Sequence, residues 1–191
     1  QPIKENYFMT GPLEETNDAY AIAKIAGVKM CMEYSNQYKL NYKTLMPANM
    51  FGNNDNYDLK SSHFFPALIR KIHSAKIRKK KFITLWGNGK AKRELLYVED
   101  FVDACIFFMK KKTKESFINI GSGIEKTIEQ FANYIINKLS LKLKIKYDLS
   151  KPNGIQRKRL DLSISKKYGW KSKTSLDIAF DKVYLDYLKN L

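Results

Sequence analysis

The sequence lacks the glycine pattern by which many dinucleotide-binding proteins hold a pyrophosphate. Its nine glycines are dispersed over 191 residues, and they nowhere form a Gly-x-Gly-x-x-Gly arrangement. In proteins that have it, this arrangement makes a tight turn that opens onto a helix N-terminus and seats the phosphates. The sequence therefore offers no recognisable site of its own for a cofactor pyrophosphate.

Cysteine and histidine are scarce as well, which limits the disulfides and metal sites that the chain can form. The two cysteines, Cys31 and Cys105, each fall inside a helical pattern. We expect both to be buried thiols in a reducing cytoplasm. Neither has the spacing of a metal ligand, and two histidines are too few for a convincing zinc site, so no metal is expected.

Long apolar runs are also absent. A membrane-spanning helix needs about eighteen or more consecutive apolar residues, and the sequence has no such run. Residues 1–6 lack the charged and apolar regions of a signal peptide. A hydrophobic share of 44% and an aromatic share of 13% suffice for a buried core. We therefore expect a cytoplasmic globular protein without a membrane partner.

Acidic residues are fewer than basic ones. The chain has 19 aspartates and glutamates and 35 lysines and arginines, which gives a net charge of +16. A charge of this size is typical of nucleic-acid-binding proteins. The lysines are scattered, however, with short runs at residues 79–81 and 110–112, and no nucleic-acid-binding module is recognisable. We expect no nucleic-acid partner, although a positive field favours the approach of an anionic sugar nucleotide.

Among the residues that are present, Tyr20 and Lys24 form the clearest chemical pattern. Residues 18–26 contain no helix breaker and are predicted to be helical. Residues four apart share a helix face, so the phenol and the ammonium can point into one pocket. A tyrosine beside a positive charge can exchange a proton with a carbonyl or alcohol oxygen near neutral pH. Taken alone, such a pair is usually a solvated pair on a helix surface.

The apolar pattern alternates between helical and strand periods, which predicts an α/β fold. The first helix is expected to end at about Tyr38. The other predicted elements are, in chain order, strand 41–45, helix 63–76, strands 82–86 and 94–98, helix 100–109, strand 116–121, helix 127–139, strand 143–147 and helices 163–169 and 175–190. Residues 1–15, 53–60 and 151–158 are predicted to be loops.

Polar residues near the helix starts are the expected N-caps. They are Thr16, Asn17 or Asp18 for the first helix, Ser61 or Ser62 for the second, Asp100 for the third and Thr127 for the fourth. His63 lies at a helix N-terminus, where the helix dipole opposes a positive charge on the imidazole. His73, lower on the same helix, is expected at the surface.

Four motifs cover much of the chain. They are Glu-Glu-Thr-Asn-Asp-Ala-Tyr-Ala-Ile-Ala-Lys-Ile-Ala-Gly at 14–27, Met-Pro-Ala-Asn-Met-Phe-Gly at 46–52, Ser-Ser-His-Phe-Phe-Pro-Ala-Leu-Ile-Arg at 61–70 and Trp-Gly-Asn-Gly-x-x-x-Arg-Glu-Leu-Leu-Tyr-Val-Glu-Asp at 86–100. Together they resemble the extended short-chain dehydrogenases/reductases of the NAD-dependent epimerase/dehydratase type. Within these, the sequence is most similar to the GDP-L-fucose synthase family, the GDP-4-keto-6-deoxy-D-mannose 3,5-epimerase-4-reductases.

The resemblance implies an architecture and a set of partners. The fold would be the C-terminal part of a Rossmann-like doubly wound sheet plus a smaller α/β substrate-binding domain. Residues 1–52 and 90–121 would belong to the NADP-binding domain, and residues 53–89 and 122–191 to the sugar-nucleotide domain. The implied cofactor is NADP(H), the implied substrate is a GDP-sugar, and a homodimer would form through the helix that carries Tyr20.

The resemblance also implies roles for individual residues. Tyr20, Lys24 and His63 would be catalytic. The residues that would border the cofactor are Tyr20, Lys24, Pro47, Ala48, Asn49, Met50 and His63. Those that would bind the sugar nucleotide are Lys71, Trp86, Arg93 and Asn153. Lys71 stands where the family often has arginine, and Asn153 stands in place of an aspartate, so these two assignments depart from the family pattern.

Several alternatives stay open at this point. Residues 46–52 could be an ordinary strand-to-loop turn, and residues 86–93 a surface hairpin with solvated lysines. We expect the chain to be the C-terminal portion of a longer enzyme, without reductase activity of its own, rather than a short protein that has lost cofactor binding. The alternative functions are another sugar-nucleotide epimerase or dehydratase, or a non-catalytic sugar-nucleotide-binding module.

Overall fold

A computed structural model describes the backbone of residues 1–191 and all side chains except that of Thr16. The chain alternates between helices and short strands, which confirms the predicted α/β fold. The helices are α1 (Asp18–Tyr38), α2 (Phe64–Ile77), α3 (Val98–Lys110), α4 (Ile128–Lys138), α5 (Ser163–Lys167) and α6 (Leu176–Lys189). The strands are β1 (Thr44–Pro47), β2 (Asn49–Phe51), β3 (Phe82–Trp86), β4 (Lys92–Tyr97), β5 (Phe117–Ile120), β6 (Glu125–Thr127), β7 (Lys144–Asp148) and β8 (Arg157–Lys158).

The strands form small sheets, and β4 pairs with three other strands. β1 is parallel to β5, and β3 is parallel to β7. β4 is parallel to β2 and β8 and antiparallel to β6. Only Ala48 separates β1 from β2, and its N–H donates to the carbonyl oxygen of Ile120 at 2.8 Å. One continuous stretch of chain therefore connects the pairing with β5 to the pairing with β4.

Two apolar clusters hold the helices against these strands. The larger cluster joins α2, α4 and α6 to β2, β3 and β4, and the smaller one packs α3 against β4 and β5. The apolar face of α2 is buried, because Phe65, Leu68, Ile69 and Ile72 all lie in the larger cluster. Each such side chain contributes about 1.5–3 kcal/mol of burial free energy. The position of α2 is thus set firmly by packing, and with it the residues at its N-terminus.

The predicted surface position of His73 is wrong. Its side chain is 7% exposed, and its Nδ1 lies 2.9 Å from the hydroxyl oxygen of Tyr184 on α6. The ring also makes an edge contact with Tyr187, at 5.2 Å between centroids. His73 follows Ile69 by one helical turn, so it shares the face that α6 covers. The tyrosine hydroxyl supplies the hydrogen-bond partner that a buried imidazole requires.

The helix start at Thr127 is confirmed, with a reciprocal pair of hydrogen bonds to Gln130. At the start of α1 the N-cap residue is Asn17, whose side chain makes no capping hydrogen bond. The Asp18 carboxylate instead accepts from the backbone N–H of the next residue. The possible cap at Thr16 lies outside the described side chains.

The predicted caps of α2 and α3 are wrong. The N-cap residue of α2 is His63, not Ser61 or Ser62, and its side chain makes no capping hydrogen bond. The N-cap residue of α3 is Tyr97, and Asp100 lies inside the first turn of that helix, where it is buried. Asp100 binds a distant segment of the chain instead, so a tertiary contact replaces the local one that its position suggested.

Other differences concern short elements and the two cysteines. The predicted strand 41–45 lies at Thr44–Pro47, and β8 falls within the segment 151–158 that was predicted as a loop. The N-terminal segment, also expected as a loop, forms a bridge from Ile3 to Leu160. Cys31 and Cys105 are free thiols that are half-buried rather than buried, and burial raises the pKa of Cys105. In the part of the chain that the structure describes, no helix is long and apolar enough to span a membrane.

The buried His73 makes the stability of the fold sensitive to acid. Burial, and secondarily the charge of Lys76, lower the pKa of His73 below its ordinary value. The unfolded chain, in which His titrates near 6.5, then takes up the proton more readily, so stability falls as the pH drops below about 6.5. We expect His73→Gln to lose this part of the pH dependence, measured by urea denaturation between about pH 7.5 and 5.5.

The matched control is His63→Gln, which removes an exposed imidazole. It should retain the acid dependence of the native chain. An acid dependence that is the same in native and His73→Gln protein would contradict this explanation.

Candidate active site

Tyr20 and Lys24 share one exposed face of α1, as the helical spacing predicts. Tyr20 is 60% exposed, and the Nζ of Lys24 lies 5.4 Å from the centroid of its ring. This geometry is a cation–π contact, which holds the ammonium beside the phenol. Both polar groups are therefore accessible to a ligand that approaches this face.

The segment Pro47–Met50 lies where β1 ends. Pro47 pairs with Ile120, so both strands reach their carboxyl ends at the same level. Asn49 already belongs to β2 and pairs with Leu95 of β4. Open α/β sheets bind ligands beyond the carboxyl ends of their parallel strands. The segment is therefore more than a plain turn, since it connects two strand pairings at the edge where a ligand would bind.

His63 is exposed at the N-terminus of α2, and the loop that leads to it is anchored. The ring of Tyr57 packs on that of Tyr187, at 4.5 Å between centroids. The Tyr57 carbonyl oxygen accepts from Nη1 of Arg70 at 2.9 Å. Burial raises the pKa of Asp55 in the same loop, and the nearby His63 partly opposes this effect. An acidic side chain therefore lies in the electrostatic environment of His63.

Trp86 presents its ring to solvent at the end of β3, between two cations. The side chain is 59% exposed, and the Nζ atoms of Lys71 and Lys151 lie 5.5 and 5.8 Å from a ring centroid. Lys71 also donates to the carbonyl oxygen of Thr84 at 3.5 Å, and burial lowers its pKa. The structure thus brings Lys71 and Trp86 together. A planar surface flanked by positive charge suits an anionic ligand with a ring.

The turn after Trp86 is closed by Asn153. The backbone N–H of Asn88 donates to Oδ1 of Asn153 at 2.8 Å. Gly87 has φ of +61°, and a Cβ at this position would lie 2.4 Å from the same oxygen. A side chain at residue 87 would therefore displace Asn153. We call residues 151–156 the covering loop, because this contact holds the loop against the turn.

Arg93 connects the covering loop to β4 and to the segment before α1. Its Nη1 donates to the carbonyl oxygens of Lys92 and Ile155, both at 2.7 Å. Burial lowers the pKa of Arg93, while the negative charge of Glu14 opposes that effect. Since Glu14 lies in the segment that leads into α1, the guanidinium lies between the covering loop and the chain that carries Tyr20.

The strand register adds two cations that the sequence analysis did not single out. Arg93 pairs with Lys126 on β6 and with Lys158 on β8. Directly paired residues of neighbouring strands point to the same face of a sheet and lie about 5 Å apart. Lys126, Arg93 and Lys158 therefore form a row of three cations, which we call the cation row. Like charges at this spacing repel one another, so an anion bound on this face would be stabilised.

A neighbouring cation of β8 is neutralised instead. Arg157 makes a bidentate pair with Glu125, with Nε–Oε1 at 2.7 Å and Nη2–Oε2 at 2.9 Å. The hydrogen bond to Arg157 lowers the pKa of Glu125. Because these residues belong to β8 and β6, which pair with opposite edges of β4, the ion pair crosses β4 and ties its two neighbours together.

The side chains that the structure describes contain no cluster of three His, Cys, Asp or Glu residues able to hold a metal ion.

Parallel strands accompanied by a Tyr-x-x-x-Lys helix are typical of Rossmann-like short-chain dehydrogenases/reductases. The chain belongs to the NAD dependent epimerase/dehydratase family, whose sequence model matches residues 1–121.

Within this family, the relatives found by sequence include GDP-L-fucose synthases. The enzyme of Sinorhizobium fredii is 44% identical over 191 residues, which is 100% of this chain and 61% of the relative. That of Escherichia coli K12 is 37% identical over 199 residues, or 100% of this chain and 62% of the relative. A GDP-L-fucose synthetase from Naegleria fowleri bound to NADP has a similar structure, with a TM-score of 0.90 and 25% identity, over 99% of this chain and 61% of that one. The chain thus spans about three fifths of the length of these relatives.

The contact between Gly87 and Asn153 can be tested with two glycine substitutions. Gly87 and Gly169 both have positive φ, +61° and +94°, but a Cβ on Gly169 would meet nothing within 4 Å. Both Gly→Ala changes should lower stability by about 1–2 kcal/mol through backbone strain. Only Gly87→Ala should displace the covering loop and speed hydrogen exchange of residues 151–156. Equal exchange of that loop in the two variants would argue against the contact.

Proposed function

We propose that this chain is the C-terminal, sugar-nucleotide-binding portion of an NADPH-dependent epimerase-reductase that converts GDP-4-keto-6-deoxy-D-mannose to GDP-L-fucose. The observation that carries the proposal is the convergence of Lys71, Trp86, Arg93 and Asn153 around one turn. The similarity to GDP-L-fucose synthases over the whole chain supports the same substrate class.

The GDP-sugar would lie across the turn, under the covering loop. The exposed ring of Trp86 offers a stacking surface, and Lys71 and Lys151 add positive charge at its edges. The guanidinium of Arg93 can bind a diphosphate through two parallel hydrogen bonds. Lys126 and Lys158 would extend this positive charge along the row. Asn153 would keep the covering loop in place and contribute an uncharged polar group.

The residues present fit one end of NADP(H). The segment Pro47–Met50 lies at the carboxyl ends of β1 and β5, where a nicotinamide could be accommodated, and Tyr20 and Lys24 present donors for the adjoining ribose. The sequence contains no Gly-rich turn for the pyrophosphate. NADPH, when bound, would supply the hydride that reduces C4 of the sugar.

The proton transfers would fall to side chains of this chain. The C4 carbonyl acidifies the C–H bonds at both neighbouring carbons, C3 and C5. His63, exposed at the N-terminus of α2, would exchange protons at these carbons. Tyr20 would donate a proton to the C4 oxygen during reduction, and Lys24 would stabilise the phenolate that remains.

A homodimer through α1 is part of the proposal. Over the described residues of α1, Val28 is the one buried position, while Ile22, Met30 and Tyr34 are exposed. Ala23, Ala26 and Gly27 on this helix are small enough for another helix to approach closely.

Binding should depend on Arg93 far more than on total charge. Arg93→Ala should weaken GDP-sugar binding by about 1.5–3 kcal/mol, the range for hydrogen bonds to charged groups. The control removes three charges at Lys79, Lys80 and Lys81, which are exposed. At 0.1 M salt, charges beyond about 10 Å are screened, so this triple change should matter much less. Calorimetric titration measures both, and equal losses would favour diffuse electrostatics over a defined site.

The catalytic assignment can be tested in protein that also contains the Gly-rich nucleotide-binding half. Tyr20→Phe should lower C4 reduction by about 10²–10⁴-fold, because the proton donor is gone. Deuterium exchange at C3 and C5 should continue, since His63 would carry that step. The control Tyr34→Phe, at an exposed position of the same helix, should change neither reaction.

The alternatives make different predictions for the same experiment. Another sugar-nucleotide epimerase or dehydratase would leave this substrate unchanged and act on a different sugar nucleotide. A non-catalytic module would bind the GDP-sugar without deuterium exchange. Loss of exchange and reduction together in Tyr20→Phe would contradict the separate roles of Tyr20 and His63.

A further inference from the structure

Glu94 follows Arg93 on β4, and its side chain is fully buried at 0% exposure. Its Oε1 accepts from the backbone N–H of Gly123 at 2.7 Å, and its Oε2 accepts from the backbone N–H of Leu160 at 3.0 Å. A Cβ on Gly121 would lie 2.2 Å from the same Oε1, so glycine is required there. The carboxylate is therefore held in a closely fitted site by two backbone donors.

These two donors belong to the segments on either side of Arg93. Gly123 lies just before β6, and Leu160 lies just after β8. Both of these strands pair with β4 at Arg93, on opposite edges. The Glu94 carboxylate thus binds the segment just before β6 and the segment just after β8. The covering loop leads directly into β8, which Leu160 follows. Ile155 of this loop accepts a hydrogen bond from Arg93.

A buried carboxylate is a costly way to hold strands together. Removing a charge from water is strongly unfavourable, and well-packed apolar residues usually stabilise a core at least as well. Hydrogen bonds to a charged acceptor are shorter and more directional than neutral ones, however, and they define the positions of their donors closely. The Glu94 carboxylate is thus better suited to fixing the positions of Gly123 and Leu160 than to stabilising the fold.

We propose that Glu94 is a positioning residue for Arg93: by holding Gly123 and Leu160, it fixes the cation row and the covering loop for binding of a nucleoside diphosphate. Glu94 touches no ligand and acts through Arg93. The inference rests on the proposed function, because it assumes that Arg93 binds the diphosphate.

The test uses Glu94→Gln, which keeps the shape of the side chain. An amide has one acceptor oxygen, and its NH2 group would face the second backbone N–H, so one of the two hydrogen bonds must be lost. The matched control is Asp100→Asn. Asp100 is also buried, at 6% exposure, and accepts from the N–H of Thr174 at 3.1 Å and from its hydroxyl at 2.7 Å. Its hydrogen bonds connect α3 to the linker before α6, whereas those of Glu94 go to the segments beside β6 and β8.

GDP binding is measured by calorimetry on folded 191-residue protein, and unfolding by urea on the same samples. Both amide variants should be less stable than the native chain. Glu94→Gln should bind GDP about tenfold more weakly, which is 1.4 kcal/mol, whereas Asp100→Asn should stay within about twofold of native. If Glu94→Gln does not fold, Glu94→Asp replaces it, since the shorter carboxylate cannot reach both donors.

A double-mutant cycle separates positioning from a general loss of structure. In an Arg93→Ala background, Glu94→Gln should weaken GDP binding no further. An undiminished effect in that background, or native affinity in Glu94→Gln, would overturn the inference and leave the proposed function standing. Failure of the native chain to bind GDP would instead refute the proposed function, and this inference with it.

Discussion

Backbone pairing by strand β4 is the constraint on which the proposed site depends. Its first residues pair with β8 and β6, and its last ones with β2, so segments far apart in sequence are aligned by one strand. β2 continues β1, which brings the Pro47–Met50 segment into the same framework. Arg93 lies within the part of β4 that has neighbours on both edges. The strand pairing therefore fixes the backbone from which the Arg93 side chain extends, and the carbonyl oxygens of Lys92 and Ile155 hold its guanidinium.

The distribution of charge supports a local site over a diffuse basic surface. The net charge of +16 is spread widely, and most lysines are exposed. At the site, burial lowers the pKa of both Lys71 and Arg93, which shows that these cations are partly removed from water. A cation in that environment gains more from a bound anion than an exposed one does, because screening by solvent is weaker. The proposed substrate site is therefore local to the residues around Trp86.

Much of the fold was predictable from the sequence because apolar residues recur at regular spacings in its longer helices and strands. The helix over residues 127–139 and its start at Thr127 were predicted, and α4 at Ile128–Lys138 with Thr127 as its N-cap confirms both. The site motifs placed Trp86, Arg93 and Asn153 near one another, although their roles stay predictions. β6 and β8 were not predictable, since two- and three-residue strands show no alternation. Without those strands, the partners of Arg93 on the cation row could not be identified.

Two of the wrong predictions, those for His73 and Asp100, have a common physical cause. His73 and Asp100 were assigned from local position alone, as a surface residue and a helix cap. Each makes its hydrogen bonds to a segment distant in sequence, His73 to Tyr184 and Asp100 to Thr174. Such tertiary partners satisfy buried polar groups, and no local pattern reveals them. The claim that a GDP-sugar binds between the turn after Trp86 and the covering loop is tested most directly by hydrogen exchange with and without GDP-fucose. We predict that GDP-fucose slows exchange at residues 86–93 and 151–158. Protection elsewhere, such as at the lysine run 79–81, or no protection at all would contradict the claim.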